Sequence, residues 1–237
     1  MWREKRLVLR TMMFDALSFA GCGTLNFYQT GAAYALQQAG LTQNMKYAGA
    51  SAGSGLSVLL ASDVDAQAIF STARGILEPH RGKNILRHPQ LLVDFADAFL
   101  MSFITPDTLS KIGERVHISI TTLLPVRNRL VNQFHDTEDL CRAIRASCHI
   151  PSLRYPTATF RGKRCIDGGF TRNNPKVGEA CLRVSPYFFD PRMKISPNRL
   201  TPPWWAVVVP SHRRAQRLFE QGARDAERFI RRRKLRA

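Results

Sequence analysis

Five residues, Gly49-Ala50-Ser51-Ala52-Gly53, constrain this 237-residue chain more than any other stretch. A G-x-S-x-G pentapeptide fits a strand that turns sharply into a helix with one serine standing at the tip. Side chains at either glycine would crowd the turn, and the serine sits on strained backbone. The next amide, that of Ala52, opens the helix and points where an oxyanion would form. Taken alone, the same residues also suit a flexible glycine-serine turn.

The flanking sequence supports the strand-turn-helix reading. Ala16 to Ala20 is short, apolar and ends at glycine, as a buried strand would. Phe27 to Gln38 places Tyr28, Ala32, Ala35 and Leu36 roughly on one helical face and closes at Gly40. Tyr47-Ala48 is a short strand into the elbow, and a helix runs through Leu56 to Leu60. Two β-turn-α units in about 45 residues predict a parallel sheet covered by helices. Residues 63–112 read as mostly helical, with Leu91, Phe95, Phe99 and Leu100 at helical spacing, as core packing or as a lipid-contacting cap. Strands are predicted at Val116–Ile120, Leu130–Phe134, Cys165–Ile166 and Trp204–Val209, and helices at Asp136–Ala146 and after Ser211.

Two further elements bear on chemistry. Gly21-Cys22-Gly23 is a turn whose amides can converge on an anion with no Cβ in the way. It is not a dinucleotide fingerprint, because Asn26 stands where the third glycine belongs and no acidic residue follows at the ribose-binding distance. A P-loop is excluded by the missing Gly-Lys-Ser/Thr. An oxyanion nest and a plain tight turn both remain open. Asp167, at a strand end before Gly168-Gly169, is placed to take the serine proton as general base. Asp-Gly-Gly is equally an ordinary turn.

Charge speaks to partners. Lys and Arg number 35 against 18 for Asp and Glu, a net charge of +17. Ten of the basic residues fall between 211 and 237, against three acidic ones. Such a balance attracts anionic surfaces, of nucleic acid or of lipid. Five cysteines without C-x-x-C spacing point to a reducing compartment and away from zinc. The apolar run Trp204–Val209, between Pro203 and Pro210, is too short to span a bilayer.

Taken in order, LSFAGCGTLNFYQTGAAYAL, GASAGS, AIRASCHIPSL and GKRCIDGGFTRNNP resemble the blocks of the patatin-like phospholipase family. The glycine-cysteine turn and FEQGARDAERFI look most like the subgroup of adipose triglyceride lipase and adiponutrin. The resemblance implies a three-layer α/β/α fold with a mostly parallel central sheet. It places the family domain at 17–180, followed at 181–237 by an extension carrying a basic amphipathic helix. Ser51 becomes the nucleophile and Asp167 the proton acceptor of a Ser-Asp dyad. Gly21, Cys22, Gly23 and Ala52 form the oxyanion hole, with Gly49, Gly53, Gly168 and Gly169 shaping the elbow and the Asp-Gly-Gly turn. The implied activity is hydrolysis of lipid acyl esters, triacylglycerol first and phospholipid as the alternative, with no cofactor and no metal. The implied setting is the cytoplasm, in peripheral contact with a membrane or lipid droplet, with room for a protein co-activator.

Two competing readings use the same residues. An α/β-hydrolase would order its triad Ser, Asp, His, and only His212 follows Asp167, beside Arg213 and Arg214. A non-catalytic basic module would bind membranes or nucleic acid, but no nucleic-acid motif with interleaved aromatics is present.

Overall fold

The computed structural model describes residues 14–152, 155–187 and 194–234. Leu153, which ends the AIRASCHIPSL block, and residues 235–237 of the basic tail lie outside them. A seven-stranded sheet is built from β1 (Ala16–Phe19), β2 (Lys46–Ala50), β3 (Val116–Leu123), β4 (Val126–Val131), β5 (Ala158–Phe160), β6 (Lys163–Asp167) and β7 (Cys181–Val184). Its helices are α1 (Asn26–Gln38), α2 (Ala52–Ala61), α3 (Ala66–Leu77), α4 (Pro89–Met101), α5 (Thr108–Ile112), α6 (Thr137–Ser147), α7 (Gly169–Arg172) and α8 (His212–Lys234). This is the α/β/α architecture expected. None of the described helices is long and apolar enough to cross a membrane.

The sheet has two halves. β7, β1, β2 and β3 run parallel, as the β-turn-α repeats predict. β3 then pairs antiparallel with β4 and with β6, and β6 with β5. Ile118 and Ser119 pair with β2 and β4 at once, and Ile120 to Thr122 pair with β6 and β4 at once. A strand has only two edges, so β2 and β6 share the edge opposite β4. They meet end to end there: Ala50 stands against Ser119 and Asp167 against Ile120. This register brings the elbow and Asp-Gly-Gly to one point.

Two expected elements differ and two strands are additional. The strand placed at Leu130–Phe134 is β4, which starts four residues earlier because Thr122 and Pro125 close a hairpin onto β3. Trp204–Val209 is not a strand; Pro203–Val207 is a 3₁₀ turn, and only Val208 bridges, to Asn84. Pro202 and Pro203 cannot donate to a ladder, and the Thr24 hydroxyl holds the turn by donating to the Trp205 carbonyl at 2.6 Å. β5 and β7 lie where no strand is predicted, both too short to show an alternating pattern.

α8 is the amphipathic helix expected. Ala215, Leu218, Phe219, Ala226 and Ile230 are buried, while Arg213, Arg217, Arg224, Arg231 and Arg232 face solvent. It crosses α1 at backbone contact: a Cβ on Gly31 would lie 1.9 Å from the Phe219 carbonyl oxygen, and one on Gly222 1.9 Å from that of Tyr28. Phe70 of α3 packs on Phe219 with ring centroids 4.4 Å apart, tying three helices together. The buried Asp225 carboxylate accepts from the Tyr28 hydroxyl at 3.0 Å and pairs with Arg228. Residues beyond 181 thus supply an edge strand beside β1 and a helix packed on α1.

Candidate active site

Ser51 sits at the junction of β2 and α2 with φ 52° and ψ −132°, a conformation side-chain-bearing residues rarely adopt. Such backbone costs on the order of 1–3 kcal/mol and persists only where its surroundings enforce it. Here the strand and helix are pressed together. A Cβ on Gly53 would lie 2.4 Å from the Phe19 carbonyl oxygen, and one on Gly49 2.2 Å from that of Gly53. The first turn of α2 is anchored as the Ser54 amide and hydroxyl both donate to the Ser51 carbonyl, at 2.8 and 2.7 Å. The helix N-terminus, with its partial positive charge, lies beside the serine.

Asp167 ends β6 beside Ser51. Its Oδ1 accepts from the Gly169 amide at 2.7 Å, and the Ser51 hydroxyl interacts with the same carboxylate. Both residues are nearly closed to solvent, Ser51 at 8% exposure and Asp167 at 6%. Burial raises the Asp167 carboxyl from 3.8 to about 6; the contacts with Ser51 and Gly169 pull the other way and are outweighed. The Asp167 amide donates to the His149 carbonyl at 2.8 Å, and the Gly168 amide to that of Ser147 at 3.2 Å.

The glycine turn borders the same space, since Gly23, Ser51 and Ala52 line one cleft. The Gly21 amide donates to the Asn173 carbonyl at 3.0 Å, so this member of the expected oxyanion hole is already engaged. Gly23 and Ala52 line the cleft beside Ser51, and Cys22 is buried next to them. The turn is held by Gln29, which sequence reading missed. Its side chain accepts from the Ala20 amide at 2.7 Å and donates to the Ala20 carbonyl at 2.8 Å, and it donates to Asn26 Oδ1 at 2.9 Å. Asn26, in place of a third glycine, thus braces the turn from the first residue of α1.

The cleft is apolar. About 950 Å³ of space, the open solvent at its mouth included, lies within it. Ile69 and Leu77 of α3, Leu91, Phe95 and Phe99 of α4, and Ile144 of α6 are among its walls. Phe95 and Phe99 of α4 thus pack on the core, the first of the two readings of that stretch, and line the same cleft as Ser51. Cys148 also lines it, with its thiol against the Ser51 and Ser54 side chains and pushed up to about 12, by burial first and by the Asp167 charge second. Arg161, Lys163, Arg164 and Arg172 are exposed and none lines the cleft. Arg161 is committed to the buried Asp139 carboxylate and lies over the Phe160 ring. His212, the one histidine an α/β-hydrolase order allows, is exposed on α8 against Arg74, its Nε2 3.1 Å from Nη1.

Comparison with known proteins bears on this arrangement. The model of the family described as patatin-like phospholipase matches residues 17–176, from β1 past the Asp-Gly-Gly turn. The chain belongs to the patatin-like phospholipase family. It is 31% identical over 180 residues to mouse (Mus musculus) 1-acylglycerol-3-phosphate O-acyltransferase Pnpla3, covering 73% of this chain and 44% of that protein. It is 32% identical over 191 residues to human (Homo sapiens) patatin-like phospholipase domain-containing protein 4, covering 77% and 74%. Among solved structures, VipD from Legionella pneumophila superposes with a TM-score of 0.54 at 12% identity, covering 92% of this chain and 66% of that one. That likeness is one of fold. The chain thus spans less than half the length of the mouse relative.

Proposed function

We propose that this protein is a serine lipid acyl hydrolase that works through a Ser51–Asp167 dyad. The observation that carries the reading is the contact of a strained, buried serine, which lines an apolar cleft, with a buried carboxylate. Asp167, ionised above about pH 6, takes the proton from Ser51 Oγ as the oxygen attacks the ester carbonyl. The oxyanion is met by the amides of Cys22, Gly23 and Ala52 and by the N-terminus of α2. Asp167 then returns the proton to the departing alcohol, leaving an acyl-serine. Water, activated by the same carboxylate, releases the fatty acid and restores the serine.

The proposed substrate is a neutral glyceride. A phospholipid headgroup is usually met by Arg or Lys near the reacting atoms, and among the described residues none that lines the cleft is Lys or Arg. The four basic residues nearest Asp167 in sequence are exposed and outside the cleft, which supports the neutral lipid over the phospholipid. The walls suit a long acyl chain. The outward arginines of α8 are proposed to hold the protein against an anionic lipid layer. Residues 17–180 are proposed as the catalytic domain, with 181–237 as its membrane-facing extension.

The test is serine-dependent turnover of triolein and of phosphatidylcholine, each in mixed micelles at matched surface concentration, with Ser51→Ala subtracted. Faster release from triolein is expected. A fluorophosphonate probe should label the wild type at Ser51 and leave Ser51→Ala unlabelled; equal labelling of both removes the dyad.

A further inference from the structure

The residues that leave α6, Ser147 to His149, touch both members of the dyad. Ser147 is fully buried. Its hydroxyl accepts from the Ser51 backbone amide at 2.9 Å and donates to the Ser119 carbonyl of β3 at 2.7 Å. Its own carbonyl accepts from the Gly168 amide at 3.2 Å, and the His149 carbonyl accepts from the Asp167 amide at 2.8 Å. Between them, the Cys148 thiol lies against the Ser51 side chain. Three consecutive residues therefore fix the backbone of the nucleophile, the backbone of the base, and the gap where β2 and β6 face each other end to end.

We propose that Ser147 is a positioning residue for the reaction: its hydroxyl pins the strained Ser51 backbone in register with Asp167. The argument is one of donors and acceptors. Ser51 amide lies past the last ladder pair of β2, because Ala50 against Ser119 ends that pairing. Its N–H would have no strand to meet, and an unpaired buried amide is costly. The Ser147 hydroxyl stands in for the missing strand. It relays the bond to the Ser119 carbonyl, the next group on the β3 edge. The serine hydroxyl, small enough for this fully buried spot, both accepts from one backbone group and donates to the other. A wrong peptide orientation at Ser51 would swing Oγ away from Asp167 and the Ala52 amide away from the oxyanion, and misplacement of about 1 Å can cost roughly 100-fold in rate.

The inference rests on Ser51 being the nucleophile, and the experiment separates the two. Ser147→Ala removes the relay, Ser147→Cys keeps the volume with a weak acceptor, and Ser147→Thr keeps the hydroxyl. Each is assayed beside wild type and Ser51→Ala for kcat and KM on a soluble fatty-acyl ester. Rates are taken per folded protein, with thermal unfolding followed in parallel, and the fluorophosphonate labelling rate is read as well. The expected result is a roughly 10- to 100-fold fall in kcat and in labelling rate for Ser147→Ala and Ser147→Cys, with KM within about threefold. Ser147→Thr is expected to recover at least about tenfold of the loss. Ser147→Cys keeps the test decisive if Ser147→Ala does not fold. Folded Ser147→Ala or Ser147→Cys with kcat within about threefold of wild type overturns the proposal, as does a loss that Ser147→Thr shares in full. If Ser51→Ala itself retains activity, the proposed nucleophile is wrong; if Ser51→Ala is dead while the Ser147 variants run at the wild-type rate, only the role of Ser147 falls.

Discussion

Replacing Asp167 by Asn should make the enzyme inactive and the fold more stable, and the gain should grow with pH. The carboxyl is raised from 3.8 to about 6 because burial disfavours its charge. The folded chain therefore holds this proton more tightly than the unfolded one. As pH rises from about 4 through 6, the folded state must give up a proton it binds well, and stability falls; above that window the penalty is complete. At about 1.36 kcal/mol per pKa unit, the ionised carboxylate costs the fold on the order of 3 kcal/mol. Asn keeps the acceptor for the Gly169 amide and carries no charge, so Asp167→Asn avoids the penalty. The stability advantage over wild type should be about 1.5 kcal/mol at pH 5 and about 3 kcal/mol at pH 8. At roughly 2–4 °C of Tm per kcal/mol for a chain of this size, the difference is readable by calorimetry. Denaturant melts of both proteins at pH 5, 6, 7 and 8 give the curve. An advantage that stays flat or shrinks as pH rises would refute the reasoning, because it would mean the carboxylate is not desolvated by the fold. Activity offers an independent check: general-base loss costs about 10² to 10⁴ in rate.

Other expectations follow from named contacts. In the wild type, kcat/KM should fall about tenfold per pH unit below about pH 6, as Asp167 takes up its proton; a profile flat to pH 4.5 would exclude it as the base. His212→Ala should keep ester hydrolysis within about twofold, since the ring is exposed against Arg74 and outside the cleft; loss equal to Ser51→Ala in a folded protein would favour a triad. Gly222→Val should destabilise by at least about 2 kcal/mol in denaturant melts, because the new side chain meets the Tyr28 carbonyl where α8 crosses α1. Phe99→Trp should shift the fatty-acyl preference to shorter chains in a para-nitrophenyl ester series, by filling the cleft wall. Binding to anionic vesicles should weaken when Arg213, Arg217 and Arg224 become Gln and when salt is raised; co-sedimentation blind to lipid charge and salt would exclude α8 as the contact.

The local chemistry of this protein is written in short stretches of its sequence. Gly49 and Gly53 around Ser51 force the elbow because their spacing leaves room for one strand-to-helix turn. The seam of α8 is equally plain, since a helix repeats its buried face every three to four residues. What the sequence leaves open is everything that depends on distance in space. Trp204–Val209 reads as a strand by composition, yet its fate is decided by Thr24, far away in the chain, which holds it as a 3₁₀ turn. The two halves of the sheet, parallel and antiparallel, follow from which edge of β3 each strand takes, and no periodicity encodes an edge. Gln29 and Ser147 on their helices, and Cys148 just past the end of one, are ordinary residues until the fold sets them against the glycine turn and the serine. Gly21 offers an amide in sequence, but only the folded chain gives that amide to Asn173. Sequence specifies which groups can donate, accept or strain, because those are properties of single residues and their neighbours. The tertiary structure alone decides which of them meet, because a hydrogen bond or a buried charge depends on what the rest of the chain brings within about 3 Å.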